Sequence, residues 1–442
     1  MQKHQTIVIR QISRNRSEQI AYYRYLENEQ VSVPELVRSL ADHCQEQVSA
    51  RHVLAISDTS EINLDAHRGR LKEEGVGVVG NDKDLGFFIH PTLVLDAQGG
   101  FPLGLSHVQL WTRAIGRGDK QERDYQKLPI EAKESYKWLA SAERSQRCLQ
   151  AGDAKLVTHI GDREADIYEE WATVPDRYNH LLVRIKQDRR LFENTQSLYC
   201  YLSCQPCEGS YSIRVAGDAR QKRATREAVV NVRCTAVKIQ RPDQLKGKNY
   251  PDSIRLYAVE AKEANPSRGQ KPVHWRLMTT HEVVCLEQAL QVIEWYCWRW
   301  RIEQLFATIK QKGLNVEASQ MESRSAIQRL TVLALSVAVR TLQMVEGRDN
   351  PTISAAVVFS EAQPQCLSQM APSLAGKTKK QQNPYAPSTL PWAVWLIARM
   401  GGWSGYKTQR PPGMPTLVRG LRQFEATFMG WKMALGGLVC TR

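Results

Sequence analysis

Apolar positions along the chain follow two periods. Short runs that alternate, or that are apolar throughout, predict strands over His52 to Ser57, Phe87 to Asp96, Leu103 to Trp111, Lys155 to Ile160, Leu181 to Lys186 and His274 to Thr279. Gly99-Gly100 is the turn between the second and third of these. Runs with a period near 3.6 predict helices over Glu18 to Glu29, Val33 to Ala50, Ile130 to Gln150, Val283 to Gln311 and Leu330 to Met344. A short helix begins at Asp166, and terminal helices run over Trp392 to Met400 and Pro415 to Leu435. Pro34 lies in a first helical turn, where its missing N–H costs nothing. From about 190 to 275 the pattern turns to β-type alternation over Ser210 to Val215, Ala228 to Val237 and Ser253 to Val259. Residues 361–391 hold prolines and the basic run Lys377-Thr378-Lys379-Lys380 and read as a connector. Strands interleaved with helices predict an α/β fold.

Composition narrows the picture. A chain of 442 residues is too long for one ordinary core and suits two or three domains. With 42% hydrophobic and 24% charged residues it is globular. The net charge of +14 favours a polyanionic partner, nucleic acid before a membrane surface. Between Arg214 and Lys248, ten Lys/Arg stand against three Asp/Glu. The polar, basic start does not read as a signal peptide, and the apolar run Leu330 to Val339 is too short to span a bilayer. A soluble, cytoplasmic protein without membrane contact is expected. Of ten cysteines only Cys200, Cys204 and Cys207 cluster, without a fourth zinc ligand, and they read as reduced, half-buried thiols.

The segment from Tyr296 to Lys310 carries the candidate chemistry. On a helix, Tyr296, Arg299, Glu303 and Lys310 fall within roughly 60° of one another, and Trp298, Ile302, Leu305 and Ile309 form a second, core-facing arc. The first face joins a carboxylate, which can hold a metal, to groups that grip phosphate oxygens. The plainer reading is a solvated face with an Arg299–Glu303 pair. Asp58 and Asp162 each close a predicted strand, where ligands gather in α/β sheets. A cap or turn role is the commoner one for either aspartate alone. Together with Glu303 they make three acids able to hold two Mg²⁺ ions.

Asp162-Arg163-Glu164-Ala165-Asp166-Ile167 and the spacing Tyr296, Arg299, Glu303, Lys310 resemble the DDE transposases of the insertion-sequence-four type, the group containing the transposon-five transposase. The second pattern is similar to that family's YREK signature. Asp58-Thr59-Ser60 resembles its first catalytic motif, and Tyr23-Arg24-Tyr25 and Ile397 to Gly402 have counterparts near the two ends. The likeness runs from about residue 20 to 430.

The resemblance implies an RNase H-like catalytic core, a mixed sheet with flanking helices, with Asp58, Asp162 and Glu303 as catalytic metal ligands. Two Mg²⁺ are implied, Mn²⁺ able to substitute. It implies helical regions over 1–50 and 346–442, core segments over 51–190 and 276–345, and a β-rich basic insertion over 191–275. The C-terminal region would dimerise. The activity implied is cut-and-paste transposition of an insertion sequence in a bacterial, nucleoid-associated setting. A homodimer pairs two double-stranded transposon ends, cleaves, forms and opens a hairpin, and joins the 3′-hydroxyl to target DNA. Tyr296, Arg299, Lys310, Trp275, Arg184, Lys186 and Tyr211 would contact DNA, with Trp275 stacking on a flipped base. For Trp275 a core strand position competes, and for the basic residues a solvated patch. Residues 1–20 depart from the family's opening, and Asp58 lies nearer the start than in the family. Two alternatives follow: a shortened, non-catalytic inhibitor that dimerises with a full-length transposase, and an RNase H-like nuclease without strand transfer.

Overall fold

The computed structural model describes residues 6–72, 77–116, 125, 127–192, 194–215, 225–266, 272–310, 314–360, 362–376, 378–406 and 410–436. Lys377 and Gln311 lie outside the described residues. Three helices come first: α1 (Ile9–Ile12), α2 (Arg16–Glu27) and α3 (Val33–Gln45). Helix α3 opens on a capping box. The Glu35 N–H donates to Ser32 Oγ at 3.3 Å, and the Ser32 N–H donates to Glu35 Oε2 at 3.0 Å. Ser32→Ala is therefore expected to lower stability by about 1 kcal/mol in urea unfolding. An unchanged midpoint would show that the cap contributes nothing.

The strands and helices then alternate: β1 (His52–Ser57), β2 (Ser60–Asn63), β3 (Gly77–Val78), β4 (Leu85–Asp96), β5 (Pro102–Trp111), α4 (Tyr136–Ala151), β6 (Leu156–Gly161), α5 (Tyr168–Thr173) and β7 (Asn179–Arg184). Strands β5, β4 and β1 form an antiparallel meander, and β6 and β7 add to β1 in parallel. This order, β5-β4-β1-β6-β7, is that of an RNase H-like core. The central strand β1 is apolar throughout because both its faces are covered. Val53 and Ala55 pack with Cys44, Val48 and Leu149 from the α3–α4 side. Leu54 and Ile56 enter the larger cluster on the other face.

Beyond β7 come α6 (Leu198–Ser203), β8 (Gly209–Val215), β9 (Arg226–Gln240), β10 (Ser253–Glu263) and β11 (His274–Thr279). The β-rich segment is not a separate sheet. Strand β11 pairs antiparallel with β7, and β10, β9 and β8 follow outward. Cys200, Cys204 and Cys207 are exposed rather than half-buried.

Helices α7 (Leu286–Trp298), α8 (Trp300–Lys310) and α9 (Arg324–Gly347) cover the sheet. The expected single helix from Val283 to Gln311 is two helices meeting at Arg299. There the Arg299 N–H donates to Tyr296 O, and the Ile302 N–H to Arg299 O, both at 3.1 Å. These i→i−3 bonds make one tight turn in an otherwise right-handed helical path. Ile302, Leu305 and Ile309 are fully buried, as their spacing predicts. Helix α9 is long and apolar enough to cross a membrane by length and composition, but 67% of its most apolar window is buried inside this fold.

The C-terminal part holds α10 (Ala362–Leu374), α11 (Leu390–Met400) and α12 (Met414–Ala434). Thirteen residues of the expected connector are thus the helix α10. Pro364 lies in its first turn, which needs no N–H donor, and Pro372 in its last. Helix α11 is buried from Leu390 to Ala398 and forms the centre of its own cluster, with Met344, Phe359, Phe424 and Phe428 around it.

Candidate active site

Register places the strand-end residues. Ile56 pairs with Ile160, and Ile160 pairs with Leu182. Two residues on in each strand path come Asp58, Asp162 and Arg184. The parallel pairing sets them in a row across the carboxyl ends, on strands about 4.8 Å apart. Both aspartates brace their own turns. Asp58 Oδ1 accepts the Thr59 N–H and Asp162 Oδ1 accepts the Glu164 N–H, each at 2.7 Å. The cap role is therefore real, and it leaves each carboxylate fixed in direction.

The α7–α8 junction faces this row. Arg299 Nη1 donates to Asp58 Oδ2 at 2.6 Å and lies 3.8 Å from Glu303 Oε1. Burial alone would lower the Arg299 pKa, yet Asp58, Tyr296, Asp162 and Glu303 together leave it raised. Asp58 is pushed up to about 6, first by burial and further by Asp162 and Glu303, against the pull of Arg299. Tyr296 is buried, which raises its phenol pKa, and both Arg299 and Arg184 stand close enough to oppose that shift. Glu303 keeps 42% of its side chain exposed. Lys310 Nζ reaches Ser60 Oγ and Glu317 Oε1, both at 3.3 Å, and so lies beside the turn that follows Asp58. The four residues of the helical face thus meet the sheet across the tight turn, not along one unbroken helix.

The basic pair differs in setting. Arg184 is half-buried, which lowers its pKa, and lies near Tyr296 and Arg163. Lys186 is exposed. Its backbone N–H donates to Asp166 Oδ2 at 2.9 Å. Asp166 is itself buried against Arg189, with Arg189 Nη2 at 2.5 Å. This ion pair ties the Asp162 loop to the segment after β7 and so positions Lys186. Arg184 pairs with Leu277, so Lys186 falls opposite Trp275 by the same register. Trp275 is partly buried against the main cluster. Tyr211 packs against the same cluster. Its hydroxyl is buried beside Cys297 with no hydrogen-bond partner among the described residues, and burial pushes it up to about 12. The period-two pattern Gly209, Tyr211, Ile213, Val215 sets the half-buried ring on the side of β8 that packs against the main cluster.

Sequence reasoning missed two supports. His90 is fully buried, held well below its usual pKa by burial, and shares a 2.9 Å hydrogen bond with Thr59 Oγ1. Glu317 accepts the Asn63 N–H at 3.1 Å as well as binding Lys310. Each acts on a partner more than 25 positions away, which no local motif encodes.

The expected closure of three acids onto shared metal ions needs qualification. Among the described residues no three His, Cys, Asp or Glu side chains gather closely enough to hold a metal ion. Arg299 stands between Asp58 and Glu303 instead. The donor chemistry still suits a hard divalent cation. Carboxylate oxygens are its preferred ligands, and both other acids push Asp58 toward the neutral form, a repulsion that added positive charge relieves.

A solved structure of a piggyBac transposase synaptic complex with hairpin DNA is similar over 89% of this chain, at 9% sequence identity and a TM-score of 0.36, and the chain spans 56% of that protein's length. Residues 208–339, from the edge of β8 into α9, match the family model of the transposase DDE domain. That span holds Tyr296, Arg299, Glu303 and Lys310, and the match supports a DDE transposase.

Proposed function

We propose that the protein is a DDE transposase of the insertion-sequence-four type, which moves its own element by cutting and rejoining DNA in the bacterial cytoplasm. One observation carries this reading: Asp58 and Asp162 lie side by side at parallel strand ends, and Arg299 links Asp58 to Glu303 on α8. Asp58, Asp162 and Glu303 would hold the divalent cations, Mg²⁺ or Mn²⁺. Bound there, the cations supply an activated water or 3′-hydroxyl and charge for the leaving oxygen. The chain's own cations, Arg184, Lys186, Arg299 and Lys310, orient the scissile phosphates. Tyr296, between Arg184 and Arg299, keeps both guanidinium groups aimed at the strand ends. Trp275, across from Lys186, is placed to stack on a base displaced beside the cut. Hairpin formation and target joining by a homodimer complete the cycle. Helix α11 is spent on its own core, so α12, with Met433 and Leu435 exposed, is the C-terminal element left to face a second copy.

The direct test incubates the full chain with Mg²⁺ and the DNA that flanks its coding sequence. Nicked, hairpin and joined products are expected in sequence. Cleavage without joining would indicate a nuclease, and binding without cleavage the inhibitor. Lys310 gives a sharper test of DNA placement. Lys310→Ala is expected to weaken DNA complexes and to flatten the slope of log affinity against log salt by about 0.9. An unchanged slope would mean that Lys310 serves only Ser60 and Glu317.

A further inference from the structure

A second ligand site lies in the C-terminal helices, built by none of the strands that carry the aspartates. A cleft of about 860 Å³ opens between α11 and the segments on either side of it. Its walls include Tyr385, Trp395, Trp403 and Tyr406, and its rim Lys379 and Lys380. We propose that this cleft binds single-stranded DNA, with a base between the aromatic rings and the adjoining phosphates on the two lysines.

The walls are rigid. Trp395 and Trp403 meet edge to face at 6.3 Å. Arg399 lies 5.7 Å over the Trp395 ring and donates from Nη1 to Trp403 O at 3.0 Å and from Nε to Leu374 O at 3.0 Å. Gly405 has a φ of +82°, and a Cβ there would sit 3.3 Å from both Trp395 and Arg399. The chain can therefore lie flat on the indole and leave Tyr406 at the cleft, 37% exposed. The Trp403 indole N–H is buried without an acceptor among the described residues, an unmade bond that a ligand oxygen seated beside the ring can complete.

Charge selects the ligand. Arg348 and Asp349 neutralise each other at 3.2 Å, and Tyr385 Oη also donates to Asp349 at 3.4 Å. Lys379 and Lys380 are exposed and have no ion-pair partner among the described residues. The cleft is thus cationic and aromatic, the pairing that single strands use, since every base offers a π-face and every linkage a charge. Bases stacked within a duplex have no free π-face to offer these rings. A proline-rich peptide would fit the rings but has no use for the lysines.

The test uses the full chain without divalent cation, so its failure leaves the reading of the carboxylate site standing. A 12-nucleotide thymidine strand carrying 5-iododeoxyuridine is crosslinked by light, and the adducts are mapped by mass spectrometry. Adducts are expected on Tyr406, Trp403 or Tyr385. Binding, read by fluorescence anisotropy, is expected to weaken roughly tenfold in Tyr406→Ala and to recover in Tyr406→Phe. Lys379→Ala with Lys380→Ala is expected to reduce the salt slope by about 1.4. Adducts confined to other segments, with an unchanged slope, would overturn the proposal. So would a proline-rich peptide that occupies the cleft and is not displaced by the oligonucleotide.

Discussion

Alanine at Glu303 is expected to lower strand cleavage by about 1,000-fold or more, as loss of a ligand to a catalytic metal does, while DNA binding stays within about twofold. Glu303 is partly exposed and contributes nothing to the core beneath α8, where Ile302, Leu305 and Ile309 do the packing. The variant should therefore fold as the parent does. Arg299 keeps its bond to Asp58, so the phosphate-gripping cations stay in place. What is lost is one of three carboxylates. A second readout separates ligation from other roles: Mn²⁺ should raise the melting temperature of the parent and raise that of Glu303→Ala less, because only a bound ligand stabilises the fold. Retained cleavage, or equal stabilisation by Mn²⁺, would reject Glu303 as a ligand.

Acid is expected to destabilise the fold between pH 7 and 5, through buried histidines. His52, His180 and His281 cluster at the end of the sheet away from the aspartates. His180 and His281 stack at 3.9 Å, and Thr158 Oγ1 bridges His52 and His281 at 2.8 and 2.7 Å. Burial holds His52 at about 4 and His281 at about 3, and each histidine's neighbours in the cluster add to the shift. His107 and His159 are likewise buried at about 4. The unfolded chain binds these protons near pH 6.5 and the native state does not. Stability is thus complete above 6.5 and falls as pH drops toward 4. At pH 5 each such histidine costs on the order of 2 kcal/mol relative to pH 7. Asp58, raised to about 6, works the other way and returns on the order of 1 kcal/mol over the same interval. The urea midpoint should fall by several kcal/mol equivalents between pH 7 and 5. His281→Gln should flatten that dependence. Equal midpoints at the two pH values would show that the cluster opens to water. Trp295, 5.0 Å from His52 and 5.2 Å from His281, is a local fluorescent reporter.

The sheet was legible because its strands carry their own burial. The boundaries of β1 and β11 match the apolar runs that predicted them. The aspartates were legible for the same reason, since each follows such a run. The helical face was legible in which residues it gathers, but not in the tight turn at Arg299. That turn changes only hydrogen-bond partners, and its backbone stays right-handed helical, so no glycine or proline marks it. Helix α10 was hidden by its prolines: Pro364 falls in the first turn, where no N–H is needed, while Pro372 lies inside the helix and forgoes one hydrogen bond near its end. The half-buried side of β8 that carries Tyr211 was legible in its alternation. The supports at His90 and Glu317, and the aromatic cleft, depend on contacts between distant segments and have no sequence period to betray them.

The sheet's continuity has a consequence for the chain as it leaves the ribosome. Strand β7 emerges early and can join β6 at once, but its other edge is filled only by β11, some 90 positions later. At about 5–20 residues per second, that edge stays open for on the order of 5–20 s. An unpaired edge is a template for a neighbouring nascent chain. The bond from Arg299 to Asp58 spans 241 positions and closes later still. Nascent chains are therefore expected to expose the β7 edge during synthesis, and yield should depend on translation speed and on chaperones that shield β7.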